Sequence, residues 1–210
     1  WDYESIFKTY EFTNTLLDLI RKENPTHLSV VFDSPGKTKR AEEFKDYKAH
    51  REAMPEDIAS MIEPIKEIVR AFNIPILISP GDEADDIIGT IAKQAEKVGF
   101  TVYMMTPDKD FAQLVSENIF MYKPSRGKKP VEIWGIPEVK ENFGVEHPEQ
   151  VIDFLGLCGD SADNIPGIPG VGPVAAKKLI GLYGSVEGII ENSDQLKGKQ
   201  KENVVEFAQQ

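Results

Sequence analysis

Short runs of β-forming residues alternate with longer stretches of helical periodicity up to about residue 134, and this alternation leaves few folds open. Ile6, Phe7, Tyr10, Phe12, Leu16, Leu17, Leu19 and Ile20 recur at near-helical spacing over 4–22, and Asn24-Pro25 ends the stretch. His27 to Phe32 reads as a strand, stopped at Asp33 by the turn Ser34-Pro35-Gly36. Pro55-Glu56-Asp57 opens a helix to about Phe72, with Pro64 inside it as an expected kink or break. Ile76-Leu77-Ile78 reads as a second strand, 83–98 as a helix ended by Gly99, Phe100 to Met105 as a third strand, and 109–115 as a short helix. Ile119 to Tyr122 and Val131 to Trp134 are expected to pair as a hairpin across the basic loop Lys123 to Lys129. The pattern implies an α/β fold with a mostly parallel central sheet flanked by helices, because parallel neighbours need crossovers that cover both faces. From about 135 onward the pattern is helical, which divides the chain into an α/β core, 1–134, and a helical subdomain, 135–210.

The bulk properties exclude some classes. With 210 residues, 40% of them hydrophobic, the chain suffices for one large domain or one domain with a small appendage. No apolar run approaches the ~20 residues that span a bilayer, so no membrane partner is expected. There is no secretory signal, and the single cysteine, Cys158, suits a reducing cytoplasm and reads as a small buried hydrophobe. The chain starts at Trp1, directly in helical pattern, so a natural N-terminus further upstream is expected. A net charge of −11 argues, taken alone, against nucleic acid, which makes the distribution of charge decisive.

That distribution is ordered. Asp33 follows the first strand directly; Glu83, Asp85 and Asp86 follow the second after a short turn; Asp108 and Asp110 follow the third. Asp160 and Asp163 fall in a loop after the helix 148–158. In an open parallel sheet the strands deliver their carboxyl ends to one edge, where ligands bind. Alone, Glu83-Ala84-Asp85-Asp86 and Asp108-Lys109-Asp110 read as helix caps, Asp33 as a turn former, and Asp160 and Asp163 as loop solvation. Caps do not explain all of them following one pattern. A cluster of carboxylates raises its own pKa values unless cations join it, and Mg²⁺ or Mn²⁺ suits such oxygen ligands. Two such metals could serve phosphoryl displacement. No Ser-His or Cys-His pair stands out, and His27, His50 and His147 show no catalytic spacing.

Val-Val-Phe-Asp at 30–33, Glu-Ala-Asp-Asp at 83–86, Thr-Pro-Asp-Lys-Asp at 106–110 and Gly-Asp-Ser-Ala-Asp-Asn-Ile-Pro-Gly at 159–167 resemble the ordered motifs of bacterial 5′-nucleases. That family includes the N-terminal domain of DNA polymerase I and the flap endonucleases, and the resemblance runs over essentially the whole chain. It implies a PIN-like 5′-nuclease fold with a helix-hairpin-helix at about 165–183, and two-metal hydrolysis of DNA and primer RNA in replication and repair. Asp33, Glu83 and Asp85 match ligands of the first metal, with Asp86 close by; Asp108, Asp110, Asp160 and Asp163 match the group around the second. In one respect the chain departs from the pattern. The family normally opens with a strand carrying Asp-Gly, and none precedes residue 4; Asp2 lacks the apolar strand that would precede it. An N-terminally truncated domain is therefore expected, and a non-catalytic structure-specific DNA-binding module is the alternative.

The same resemblance makes 37–54 the helical arch around a single-stranded 5′ end. Arg40, Lys48 and Arg51 fall where the family places phosphate-contacting cations; Lys48 and Arg51, three apart, share a face if helical, and Phe44 and Tyr47 can stack on unpaired bases. By composition alone the segment would read as a solvated charged loop with little to bury, ordered only by DNA. Gly170 and Gly172 permit close backbone approach to a phosphate at the helix after Pro173, with Lys177 and Lys178 adding cations. The family's hairpin often holds a monovalent ion, with K⁺ expected. The implied partners are DNA with a 5′ flap or 5′ end, an RNA primer on DNA, and a polymerase domain in the same chain; a monomer in the bacterial cytoplasm is expected.

Overall fold

The structure is a computed structural model that describes residues 3–52, 54–125 and 130–209. Trp1, Asp2 and the Arg126 to Lys129 part of the expected basic loop lie outside the described residues. The chain forms two compact units, Trp1–Glu42 with Arg51–Ile87, and Glu43–His50 with Ile88–Gln210.

In the first unit, helix α1 (Tyr3–Glu23) matches its apolar periodicity, burying Leu16 with Phe12 and Ile20 beside it. Strand β1 (Val30–Val31) leads into a short helix, α2 (Lys39–Glu43), and then α3 (Glu56–Ala71). Helix α3 continues through Pro64 where the sequence predicts a kink or break. Met61, Ile65 and Val69 keep its inner face packed on both sides of the proline, which offsets one lost backbone hydrogen bond. Strand β2 (Ile76–Leu77) pairs parallel with β1, Val30 opposite Ile76 and Val31 opposite Leu77. Both strands are shorter than their β-forming runs, because the ladder holds over two residues only.

Helix α4 (Ala84–Lys97) contains the boundary between the units. In the second unit, β3 (Val102–Met105) pairs parallel with β4 (Ile119–Lys123), which pairs antiparallel with β5 (Glu132–Trp134) as the expected hairpin. A 3₁₀ turn over Lys109–Leu114 stands where a short helix is expected. Helices α5 (Ile136–Phe143) and α6 (Val151–Cys158) follow, then a two-residue ladder of β6 (Gly159–Asp160) with β7 (Ile165–Pro166). Three helices complete the unit: α7 (Pro173–Tyr183), α8 (Val186–Glu191) and α9 (Gly198–Phe207).

Three structural details bear on the expected layout. Among the described residues the strands before 135 pair as β1-β2 and β3-β4-β5, with β1-β2 and β3-β4 parallel and β4-β5 antiparallel. The region after 135 is not purely helical, since β6 and β7 interrupt it. The compact units also divide elsewhere than at 134/135: one core runs from Ala92 through Met121, Val139 and Leu157 to Val204, so the later helices bury their apolar faces with β3 and β4. No helix among the described residues is long and apolar enough to cross a membrane.

Candidate functional site

In the first unit the turns after β1 and β2 are tied together by Ser34, whose Oγ accepts from Gly81 N at 3.2 Å and donates to Asp82 O at 3.4 Å. This places Asp33 at the start of α4, where its Oδ1 accepts from Ala84 N at 2.7 Å. A carboxylate from one strand end thus caps the helix that begins after the other. Asp86 Oδ2 accepts from Glu83 N at 3.2 Å, and Asp85 is exposed in the same turn. Arg40, from α2, spans the set: Nη1 donates to Glu83 Oε2 at 2.9 Å and Nη2 to Asp86 Oδ1 at 2.5 Å. Glu83 is only 6% exposed, and a buried carboxylate requires a countercharge. Beside it Lys39 Nζ donates to Asp82 Oδ1 at 2.8 Å, while Lys39 N donates to Gly81 O at 2.9 Å. The Lys39 and Ser79 hydrogen bonds hold the Asp82 carboxyl below its ordinary range. Asp82 is absent from the ligand set read from the sequence; its place directly before Glu83 was the available signal.

The second set belongs to the second unit. Thr106 Oγ1 accepts from Asp108 N at 3.1 Å, and Asp108 Oδ1 accepts from Asp110 N at 3.0 Å, so Asp108 caps the 3₁₀ turn after β3. Lys109 bridges two acids, donating to Asp110 Oδ1 at 2.9 Å and to Asp160 Oδ2 at 2.8 Å. Asp160 Oδ1 accepts from Ala162 N at 2.8 Å. Burial pushes the Asp110 carboxyl up, and the Lys109 contact only partly offsets it. For Asp160 burial also works upward, but the Lys109 and Ala162 hydrogen bonds outweigh it and hold the group low. Burial would lower the Lys109 ammonium, yet its hydrogen bonds to Asp160 and Asp110 raise it above the ordinary lysine value. Cys158, half-buried nearby in sequence, is pushed up by burial.

Asp163 and Asn164 meet residues 46–48 within the same unit. Tyr47 Oη donates to Asp163 Oδ2 at 3.3 Å, Lys48 N donates to Asp163 O at 2.9 Å, and Asn164 Nδ2 donates to Asp46 O at 2.7 Å. Residues 45–50 form turns, not a helix, and Lys48 has a φ of 55°, so the helix on which the spacing argument for Lys48 and Arg51 depended is not formed there. Tyr47 is 8% exposed, with the Lys48 ammonium 4.8 Å from its ring centroid; burial withdraws it from stacking in this arrangement, whereas Phe44 is exposed.

The glycine hairpin is built on a backbone crossing. A Cβ on Gly159 would lie 2.3 Å from Gly167 N, and one on Gly167 would lie 2.3 Å from the Cys158 carbonyl carbon. Ile168 and Val171 are buried and the intervening Pro169 and Gly170 are exposed; Gly170 has a φ of 78°, and Gly172 precedes Pro173 at the first position of α7. Asn203, on α9, fastens the loop by donating to Pro169 O at 2.6 Å, a contact with no local signal in the sequence. Lys178 is exposed, but Lys177 donates to Asn142 O at 2.7 Å and so caps the end of α5.

Among the described residues no three His, Cys, Asp or Glu side chains stand together as a ready ligand group. The donor chemistry nevertheless fits hard divalent cations: both sets are carboxylate oxygens, and each already accommodates a positive charge at hydrogen-bond distance.

Two family descriptions match. "5′-3′ exonuclease, N-terminal resolvase-like domain" covers residues 4–144, and "5′-3′ exonuclease, C-terminal SAM fold" covers 146–210. The chain is 45% identical over 183 residues to a 5′-3′ exonuclease of Aquifex aeolicus, spanning 87% of this chain and 62% of that protein. It is 42% identical over 202 residues to DNA polymerase I of Bacillus subtilis, spanning 96% of this chain and 23% of the polymerase. The fold is shared with T5 5′-exonuclease holding divalent metal ions (zinc), with a TM-score of 0.77 at 23% identity over 93% of this chain and 75% of that one. It is shared too with the catalytic core of Rad2 in complex with DNA substrate, with a TM-score of 0.58 at 19% identity over 93% of this chain and 61% of that one.

Proposed function

Because the chain belongs to the 5′-3′ exonuclease family, we propose that it hydrolyses DNA phosphodiesters at or near a free 5′ end, as a metal-dependent 5′-3′ exonuclease and flap endonuclease. The observation that carries this proposal is the pair of carboxylate sets, each gathered around a cation where a parallel strand ends and a helix or turn begins.

Asp33, Glu83 and Asp85, with Asp86, would hold one divalent ion in the first unit. Asp108, Asp110, Asp160 and Asp163 would hold another in the second. Mg²⁺ or Mn²⁺, when bound, supplies charge stabilisation for the displaced phosphate oxygens and acidifies water for attack. The chain's own residues bind and orient the strand. Arg40, Lys48 and Arg51 take phosphates; Phe44 stacks on an unpaired base; Gly170, Gly172 and the first turn of α7 receive duplex backbone, with Lys178 beside them. These contacts read backbone and shape, which suits a structure-specific enzyme. K⁺ is the proposed monovalent ion at the hairpin. Primer RNA as a second substrate, a polymerase domain in the same protein, a monomeric state and a bacterial cytoplasmic setting complete the proposal; polymerase relatives of which the chain spans about a fifth motivate the second of these.

Cleavage of an end-labelled 5′-flap duplex by the full-length protein, in Mg²⁺, Mn²⁺ or EDTA, tests the proposal. Metal-dependent cutting near the flap junction that leaves a 5′-phosphate, lost in Asp110→Ala, is expected. Flap binding without any cutting would replace the enzyme by a DNA-binding module.

A further inference from the structure

Arg40 is positioned to do more than grip DNA. Its guanidinium carries the positive charge between Glu83 and Asp86, occupying Glu83 Oε2 at 2.9 Å and Asp86 Oδ1 at 2.5 Å. Glu83 is 6% exposed, so its charge cannot be left uncompensated when the guanidinium departs. A divalent ion at these carboxylates satisfies the same need and competes for the same oxygens. Its presence also makes a nearby guanidinium unfavourable, since like charges in a partly buried site repel strongly. The two cations are therefore alternatives.

The anchorage of Arg40 permits the exchange. Helix α2 is five residues long and none of them is buried, while the Arg40 side chain is 47% exposed. Lys39, one residue earlier, stays fixed to Asp82 and to Gly81 O, so the backbone beside Arg40 keeps its place while the guanidinium swings. Once displaced, it presents a planar two-point fork, the geometry that fits a phosphate.

We infer that Arg40 is an exchange residue, neutralising Glu83 and Asp86 in the metal-free protein and released by divalent metal to bind a DNA phosphate. The inference rests on the metal reading of the first acid set. Metal and DNA then bind with positive linkage through a single side chain, and the linkage is reciprocal. Deleting the guanidinium removes a competitor of the metal and, at the same time, the link between metal and DNA.

Mn²⁺ titration by calorimetry or electron paramagnetic resonance, without DNA, compares the full-length protein with Arg40→Ala and Arg40→Lys, each checked for folding by circular dichroism. In Arg40→Ala one Mn²⁺ site is expected to tighten at least about fivefold while the other is unchanged. Arg40→Lys, which keeps the charge without the fork, is expected to fall between; it also serves if the alanine variant fails to fold without metal. Flap affinity, measured with the non-redox ion Ca²⁺ and with EDTA, should rise with metal in the parent protein and rise less in Arg40→Ala. Unchanged or weaker Mn²⁺ binding in Arg40→Ala and Arg40→Lys overturns the exchange while leaving the metal reading intact. Absence of Mn²⁺ binding to the parent and to both variants overturns the metal reading, and the exchange with it.

Discussion

The two acid sets solve one electrostatic problem with cations of different origin. In the first unit the countercharge is Arg40, 43 positions before Glu83 in the chain and borne on a short exposed helix. In the second it is Lys109, placed by the same turn that presents Asp108 and Asp110. A cation from another segment can be exchanged when that segment takes substrate. A cation within the motif is tied by the chain to its neighbours Asp108 and Asp110, even though Asp160, which it also meets, comes from 51 positions away. The first set is thus built to respond and the second to persist, and the difference comes from where in the sequence the cation resides.

The largest expected effect follows from what the sets share. Glu83→Ala and Asp110→Ala each remove a proposed metal ligand and should lower single-turnover flap cleavage by at least about a hundredfold, as loss of metal-borne charge stabilisation worth several kcal/mol requires. Binding of the flap in EDTA should change far less. If one variant retains full activity, the two sets are not equivalent partners in the chemistry.

A backbone change should break the second set alone. Gly159→Ala places a Cβ 2.3 Å from Gly167 N at a φ of 71°, so the β6-β7 crossing that carries Asp160 must shift. The expected cost is about 3 kcal/mol, measured by urea unfolding, with Mn²⁺ binding kept at the first set.

Salt dependence separates the two cations. Arg40→Ala should weaken flap binding uniformly across sequences and reduce the slope of log affinity against log salt by about 1. Lys109→Met should leave that slope unchanged. An equal change in both would erase the distinction drawn between them.

The smallest effect is the second set's share of the pH dependence of stability, measured in EDTA. Asp160 is held below its ordinary range by the Lys109 and Ala162 hydrogen bonds that outweigh burial, so its stabilisation is present above the unfolded carboxylate value and is lost as pH falls through the lowered one. Lys109 is raised, so its stabilisation is present below the unfolded lysine value and is lost as pH rises through the raised one. Lys109→Met should flatten part of each limb of the thermal-stability profile, leaving the share of Asp82 and the other lowered carboxyls; unaltered limbs would place the whole pH dependence elsewhere.

Much of this was legible in the sequence because it is local. Helix α4 at Ala84–Lys97 against an expected 83–98, and the β4-β5 hairpin, follow from periodicity and turn chemistry. The acids after each strand were visible because turn residues fix where strands stop. What escaped depends on pairs distant in sequence. Neither Arg40 on Glu83 nor Tyr47 on Asp163, 116 positions apart, leaves a periodic trace. Nor does the sequence show that Lys177, expected to add a cation at the hairpin, donates to the carbonyl of Asn142, 35 positions away. The segment 37–54 reads as having little to bury, and the hydrogen bonds that Tyr47, Lys48 and Asn164 make there have no apolar stripe to announce them.

The central claim is that each set holds one divalent ion, and Mn²⁺ stoichiometry tests it most directly. The full-length protein should bind two equivalents, Glu83→Gln one, and Asp110→Asn one, with the surviving site different in each variant. A parent protein that binds no Mn²⁺, or a single substitution that abolishes both sites together, would contradict the account.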